Sequence, residues 1–217
     1  MVDNVGHSGF SVSLGLFDYI NPVLYGITTF TVIRNMSQAV SRWACVLFII
    51  GAVVSLIFGI TIPTIKLLVG LGRVKFRMPV NIVFFVNIGI FISGIALLKM
   101  VFGVKLYLFI ALIFAAALLL LFIFHKTGEF NTAAVLTGAA GYLLIYYSLI
   151  TLSLRNDLVI PAIMYVLAIL LFIFLCIVGI RSDLKDAKVH WVIEISNVLC
   201  QLLVAVGTMT LFASAAF

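Results

Sequence analysis

The chain has 217 residues, of which 65% are hydrophobic and 9% charged, and its mean hydropathy is +1.35. That composition excludes a soluble globular domain and points to one integral membrane domain over residues 1–217. Thirteen Lys and Arg against seven Asp and Glu would suggest nucleic acid on a soluble protein. Here the basic residues lie between apolar runs, where they set topology and meet lipid headgroups, so membrane lipids are the expected partners and nucleic acid is not.

In chain order, the residues MVDNVGHSGF lack the basic region and cleavage site of a secretory signal, so the first apolar run is expected to be retained. That run, 12–33, contains Asp18, Asn21 and Pro22. It reads as a span kinked by Pro22, the alternative being an interfacial segment followed by a helix that Asn21 caps and Pro22 begins. The second run, 43–62, sets Gly51, Ser55 and Gly59 four apart, a spacing that lets another helix approach closely. Pro63 to Pro79 reads as a basic connection whose Lys66, Arg73, Lys75 and Arg77 lie on anionic headgroups, with a substrate-phosphate site as the minority reading.

The third run, 80–98, carries Asn87, and the fourth, 106–124, is nearly pure Leu, Phe, Ile and Ala, which suits lipid. The fifth, 132–152, repeats small residues at Ala133, Thr137 and Gly141 and at Ala134 and Gly138, followed by Tyr142, Tyr146 and Tyr147. The sixth, 158–180, is again bulky and apolar, and the seventh is 191–212. The expected fold class is therefore an all-α polytopic transmembrane bundle of about seven spans with short loops. Hairpins recurring from Pro79 and from Asn131 form only a weak internal repeat. Ala213-Ser214-Ala215 has the small-x-small form of a peptidase site but reads as a helix end.

Charge in the connections orients the bundle. Lys66, Arg73, Lys75, Arg77, Lys126, Arg181, Lys185 and Lys188 outnumber Arg34, Arg42, Lys99, Lys105 and Arg155 on the other side. This places the N-terminus in the cytoplasm and the C-terminus outside, in a cell (inner or plasma) membrane, if the first run crosses.

The seventh run alone combines a carboxylate with a polar stripe. At 100° per residue, Asn197, Gln201 and Thr208 fall within about 60° of Glu194, all on one face. A carboxylate in hydrocarbon is protonated, paired or turned to a cavity. For Glu194 the plain reading is an interfacial side chain or a pair with Lys66 or Lys126. The functional one is a polar pathway lined by Glu194, Asn197, Gln201 and Thr208, with Asp18 and Asn87 as further members, enclosed by the third, fifth and seventh helices. Asn87 otherwise reads as a bond to a neighbouring helix.

Several chemistries are set aside. No lysine follows Lys188, so a retinal Schiff base in the last helix is excluded. His7, His125 and His190 lie far apart, Cys45, Cys176 and Cys200 lack metal-ligand spacing, and HExxH, GxSxG and Walker motifs are missing, so no metal, cofactor or catalytic residue is expected. The first expectation is a noncatalytic channel or transporter, or a subunit of one, for an ion, proton or small solute. The second is a structural or assembly subunit of a larger membrane complex, working through other subunits or as a homo-oligomer. The third is an intramembrane lipid-modifying enzyme using Asp18 or Glu194.

Overall fold

The computed structural model describes residues 11–37, 41–74, 80–103, 105, 130–181 and 187–214. Among them the regular structure is entirely helical, in seven helices: α1 (Val12–Asp18), α2 (Ile20–Met36), α3 (Arg42–Gly70), α4 (Val80–Phe102), α5 (Phe130–Arg155), α6 (Val159–Arg181) and α7 (Ala187–Ser214). Stretches within the last five (Arg42–Gly70, Ile82–Phe102, Leu136–Arg155, Val159–Val178 and Lys188–Ser214) are long and apolar enough to cross a membrane. The expected fourth run, 106–124, lies outside the described residues.

The first run is a bent helix. Pro22 has no N–H to give the Asp18 carbonyl and its ring crowds that carbonyl, and α1 ends at Asp18. Tyr19 stands between the helices in helical backbone (φ −64°, ψ −19°), its N–H reaching back to Leu16 O at 3.3 Å. The alternative in which Asn21 caps a new helix is not what forms. Asn21 lies inside α2, and Tyr19, at the cap, makes no side-chain capping bond.

One departure from the sequence reading concerns Pro63, taken there as the end of the second span. The helix runs through it to Gly70, over 29 residues, because the carbonyl that Pro63 leaves without a partner is that of Gly59, and bundles in lipid tolerate such a gap. The actual stop is Gly72, at φ +69°. There Arg73 N–H reaches Leu68 O and Gly72 N–H reaches Val69 O, both at 2.9 Å, satisfying two of the last carbonyls. Lys66 is thereby placed inside a helix, one turn from its end.

Packing makes α2 to α7 a closed ring: each helix lies against its successor, and α7 returns to α2. α1 lies on the C-terminal end of α3, so closely that a methyl on Gly15 would meet Leu67 N at 2.6 Å and one on Gly70 would meet Val12 N at 2.7 Å. The α3–α4 pair is antiparallel, with Gly51 against Ser93 at one level and Phe58 stacked on Phe85 at another. The α4–α5 pair is parallel: Asn87 fills the space beside Gly138, Phe102 stacks on Tyr147, and Arg155 donates to Val101 O at 2.6 Å. The third, fifth and seventh runs thus do not enclose anything by themselves, since α2, α3 and α6 are also needed to complete the ring. Inside it sit Tyr25, Phe48, Leu97, Tyr146, Tyr165 and Leu211. Outward-facing Phe30, Ile57, Ile160 and Leu170 leave an apolar perimeter, compatible with an integral membrane protein.

Small residues hold one half of this ring. A methyl on Gly51 would meet Gly89 O, and one on Gly94 would meet Gly141 O, each at 2.6 Å, while one on Gly141 would meet Phe91 Cα at 2.7 Å. The expected Gly51–Ser55 contact face is therefore real, and Ser55 Oγ donates to Val86 O across it at 3.0 Å. Gly59, read from the sequence as part of the same face, has open space around it. Thr137 is buried, whereas the side chains of Ala133 and Ala134 lie outside the described residues. Gly141→Ala should push α4 from α5 and cost about 1–3 kcal/mol, as overpacking does. Gly59→Ala should be neutral or stabilising by up to about 1 kcal/mol through helix propensity. Thermal melting of the two variants in detergent checks the ranking.

Candidate functional site

At the end of the ring where α1 meets α2, α3 nears its stop and α7 has just begun, four polar side chains converge. Asp18 is the last residue of α1, Asn21 lies one turn on in α2, and the bend at Tyr19 turns both inward. Lys66 Nζ is 2.7 Å from Asp18 Oδ2 and also donates to Glu194 Oε1. Asn21 Nδ2 donates to Asp18 Oδ1 at 3.0 Å and to Glu194 Oε2 at 3.1 Å. The four groups form a closed circuit in which each carboxylate spends one oxygen on the ammonium and the other on the amide. All four residues are between 5 and 8% exposed.

Such a cluster costs several kcal/mol per ion in lost hydration, recovered only through close pairing and further hydrogen bonds. The circuit supplies both, but two carboxylates share one ammonium, so with every group ionised it carries a surplus negative charge. A second imbalance lies in Asn21, whose Oδ1 is the one buried side-chain N or O atom among the described residues without a hydrogen-bond partner. Apolar groups seal the cluster towards the helix ends: Leu14, Ile65, Val69 and Trp191 pack together, and Phe17 lies 5.6 Å from Trp191, centroid to centroid.

Lys66 is the clearest departure from the sequence reading, which set it on lipid headgroups. Because α3 continues through Pro63, its side chain points into the bundle and becomes the pair for Glu194 that the plain reading allowed. Arg73 is exposed just past the end of α3. Lys75 and Arg77 lie outside the described residues.

The stripe on α7 turns inward but is divided. Glu194 joins the ion cluster. Gln201, buried, donates from Nε2 to Tyr142 Oη of α5 at 3.3 Å. Thr208, fully buried, accepts from Tyr165 Oη of α6 at 3.2 Å and donates to Val204 O at 2.7 Å. Asn197 is half-buried between the first two, and Asn87, also half-buried, lies far from the cluster against Gly138. Tyr25 Oη, one turn beyond Asn21, makes a long 3.5 Å contact to Ser93 Oγ, and Tyr146 Oη lies 3.4 Å from Cys200 Sγ. Asn21 is the member that sequence reasoning missed. Its signal was its position three residues after Asp18, which puts both on one helical face.

Lys66→Met should leave two buried carboxylates without their cation and destabilise the fold by about 3–5 kcal/mol. Combining it with Asp18→Asn and Glu194→Gln should restore much of that loss, because no charge remains to be paired. Melting curves of the single and triple variants measure the difference, and a triple variant less stable than the single one would show that the three do not act as a unit. Comparison of the chain with protein-family models, curated proteins and solved structures gave no match, so the function is read from these side chains alone.

Proposed function

We propose that this chain is a membrane carrier, or a subunit of one, which moves a proton, an ion or a small polar solute by way of the Asp18–Lys66–Glu194 cluster. Its setting is the cell membrane, with the N-terminus cytoplasmic and the C-terminus outside if the first run crosses. The observation that carries this reading is the cluster itself: ionisable groups inside an apolar bundle are expensive, and in membrane proteins they mark pathways and coupling sites. An open channel fits less well, because the cluster is capped by Leu14, Val69 and Trp191 on one side and followed by closely packed tyrosines on the other. A site closed in both directions suits a carrier that exposes it to one side at a time. A lipid-modifying enzyme fits poorly too, since both carboxylates are engaged within the ring and neither faces the apolar perimeter.

The second reading is structural. The cluster joins α1, α2, α3 and α7 where the ring closes, and a scaffold subunit would need that junction without moving anything through it.

Vesicles reconstituted with the protein and loaded with a pH-sensitive dye separate the two readings. Under an imposed pH gradient, with NaCl, KCl or LiCl supplied in turn and with or without a potassium diffusion potential set by valinomycin, a carrier should move protons several-fold faster than protein-free vesicles. Glu194→Gln, reconstituted in equal amount, should return the rate to the protein-free level. Wild-type vesicles indistinguishable from empty ones would favour the structural reading.

A further inference from the structure

We propose that Asp18, Asn21 and Glu194 form a binding site for one monovalent metal cation of the alkali class, and that a proton and this cation occupy the cluster in exchange for one another. The proposal rests on the carrier reading of the same site and names what the site binds.

Charge gives the first argument. Two carboxylates and one ammonium leave the buried cluster a single positive charge short of neutrality, and in a low-dielectric interior that shortage is costly. One monovalent cation makes it good, whereas a divalent ion would overshoot by as much. The donor set gives the second. The groups are carboxylate and amide oxygens, which suit hard cations, and among the described residues no three His, Cys, Asp or Glu side chains converge as a transition metal would require.

Asn21 supplies the third and independent argument. Its amide donates to both carboxylates while its Oδ1, in a residue more than nine-tenths buried, has no donor to accept from. A buried acceptor left in this way costs about 1–3 kcal/mol. Because Nδ2 now faces both carboxylates, a partial turn of the amide leaves Nδ2 on one of them and brings Oδ1 to the other. There it ligates a cation that this carboxylate holds, or accepts from the carboxyl O–H when that group is protonated. Either occupant therefore satisfies the same oxygen and the same missing charge, and both cannot be present without giving the cluster a net positive charge.

The exchange balances. When the cation binds, one proton leaves the cluster for solvent, and the charge of the site does not change. The titratable groups concerned are Asp18 from α1, Lys66 from α3, Glu194 from α7 and His190, buried one turn earlier on α7. From α2 come Asn21 and Tyr25, and the Tyr19 hydroxyl is bonded to Thr64 Oγ1 at 2.7 Å.

The test uses the full chain in detergent, in weak buffer with a pH indicator, titrated with NaCl, KCl or LiCl and, as control, choline chloride at equal ionic strength. At least one alkali chloride should release about one proton per chain in a saturable manner, as cation binding to protonated ligands does, and choline chloride should release none. Asn21→Ala, which changes no charge, should raise the half-saturating concentration at least about tenfold, and Glu194→Gln should abolish the release. Identical responses to the alkali chlorides and choline in the wild-type protein would overturn the proposal, as would an Asn21→Ala titration matching the wild type. Alkali-specific release from a protein that carries no flux in vesicles would uphold the site and remove the carrier reading. Flux indifferent to Na⁺, K⁺ and Li⁺ would overturn the site and leave the carrier.

Discussion

One lysine ammonium held between two carboxylates inside an apolar ring constrains much of the rest of this chain. Charges so placed are tolerable only when their partners arrive together and at hydrogen-bonding distance. Here the partners come from four helices, two of them successive and the other two distant in sequence, at positions 18, 21, 66 and 194. Their meeting requires that the first run bend after Asp18, that α3 survive its own proline long enough to carry Lys66, and that α1 lie directly on the end of α3. Pro22, Pro63 and the pair Gly15 and Gly70 are the local features that meet these three conditions. Two are usually read as helix breakers, but in this chain one bends and the other is passed over.

The ring is held by different means on its two sides. From α3 through α4 to α5 the backbones touch through glycine, so the contact is steric and short-ranged and tolerates little change in shape. At the closure, α2, α3 and α7 share the ion cluster in addition to their apolar packing, and the strength of that cluster depends on charge and on the dielectric around it. A change of protonation or of bound ion leaves the glycine side as it was and acts directly on the closure. This division follows from the composition of the helices: α4 and α5 carry the closely packed glycines and no carboxylate among their described side chains, while Asp18 of α1, Asn21 of α2 and Glu194 of α7 come together at the closure.

Periodicity made part of this legible. The helical angles of Glu194, Asn197, Gln201 and Thr208 predicted one shared face; Glu194, Gln201 and Thr208 are buried on it and Asn197 is half-buried. Small-residue spacing likewise found Gly51, Ser55 and Gly141. Gly59 shares their spacing but has no neighbour, because spacing describes one helix while contact depends on where the second helix crosses it. The place of Lys66 inside a helix was hidden for a different reason. A proline after an apolar run reads as its end, and the competing fact, that a long helix in lipid can carry an unpaired carbonyl past a proline, depends on neighbours absent from the sequence. Asn21 beside Pro22 has the chemistry of a cap as well as that of a bridge between carboxylates. Only the positions of Glu194 and Lys66, far along the chain, decide between them.

The polar stripe on α7 looked continuous in one dimension and is not continuous in three. Glu194, Gln201 and Thr208 lie seven residues apart in succession, about 10 Å of helix each time, and each turns to a different neighbour: α1 to α3 for the first, α5 for the second, α6 for the third. The two inner stations are neutral pairs with tyrosine hydroxyls in which no buried polar atom lacks a partner, and such pairs are ordinary cement between helices in lipid. The ion cluster differs in kind, being unbalanced in charge and in hydrogen bonding at once, with the surplus residing on the carboxylates and the unmet acceptor on Asn21. Packing by itself gives no reason to maintain either imbalance, since Met, Leu and Gln would fill the same space at lower cost. The place to look for what this protein does is therefore the junction of α1, α2, α3 and α7, and the remainder of the stripe is what holds α7 in position to supply Glu194.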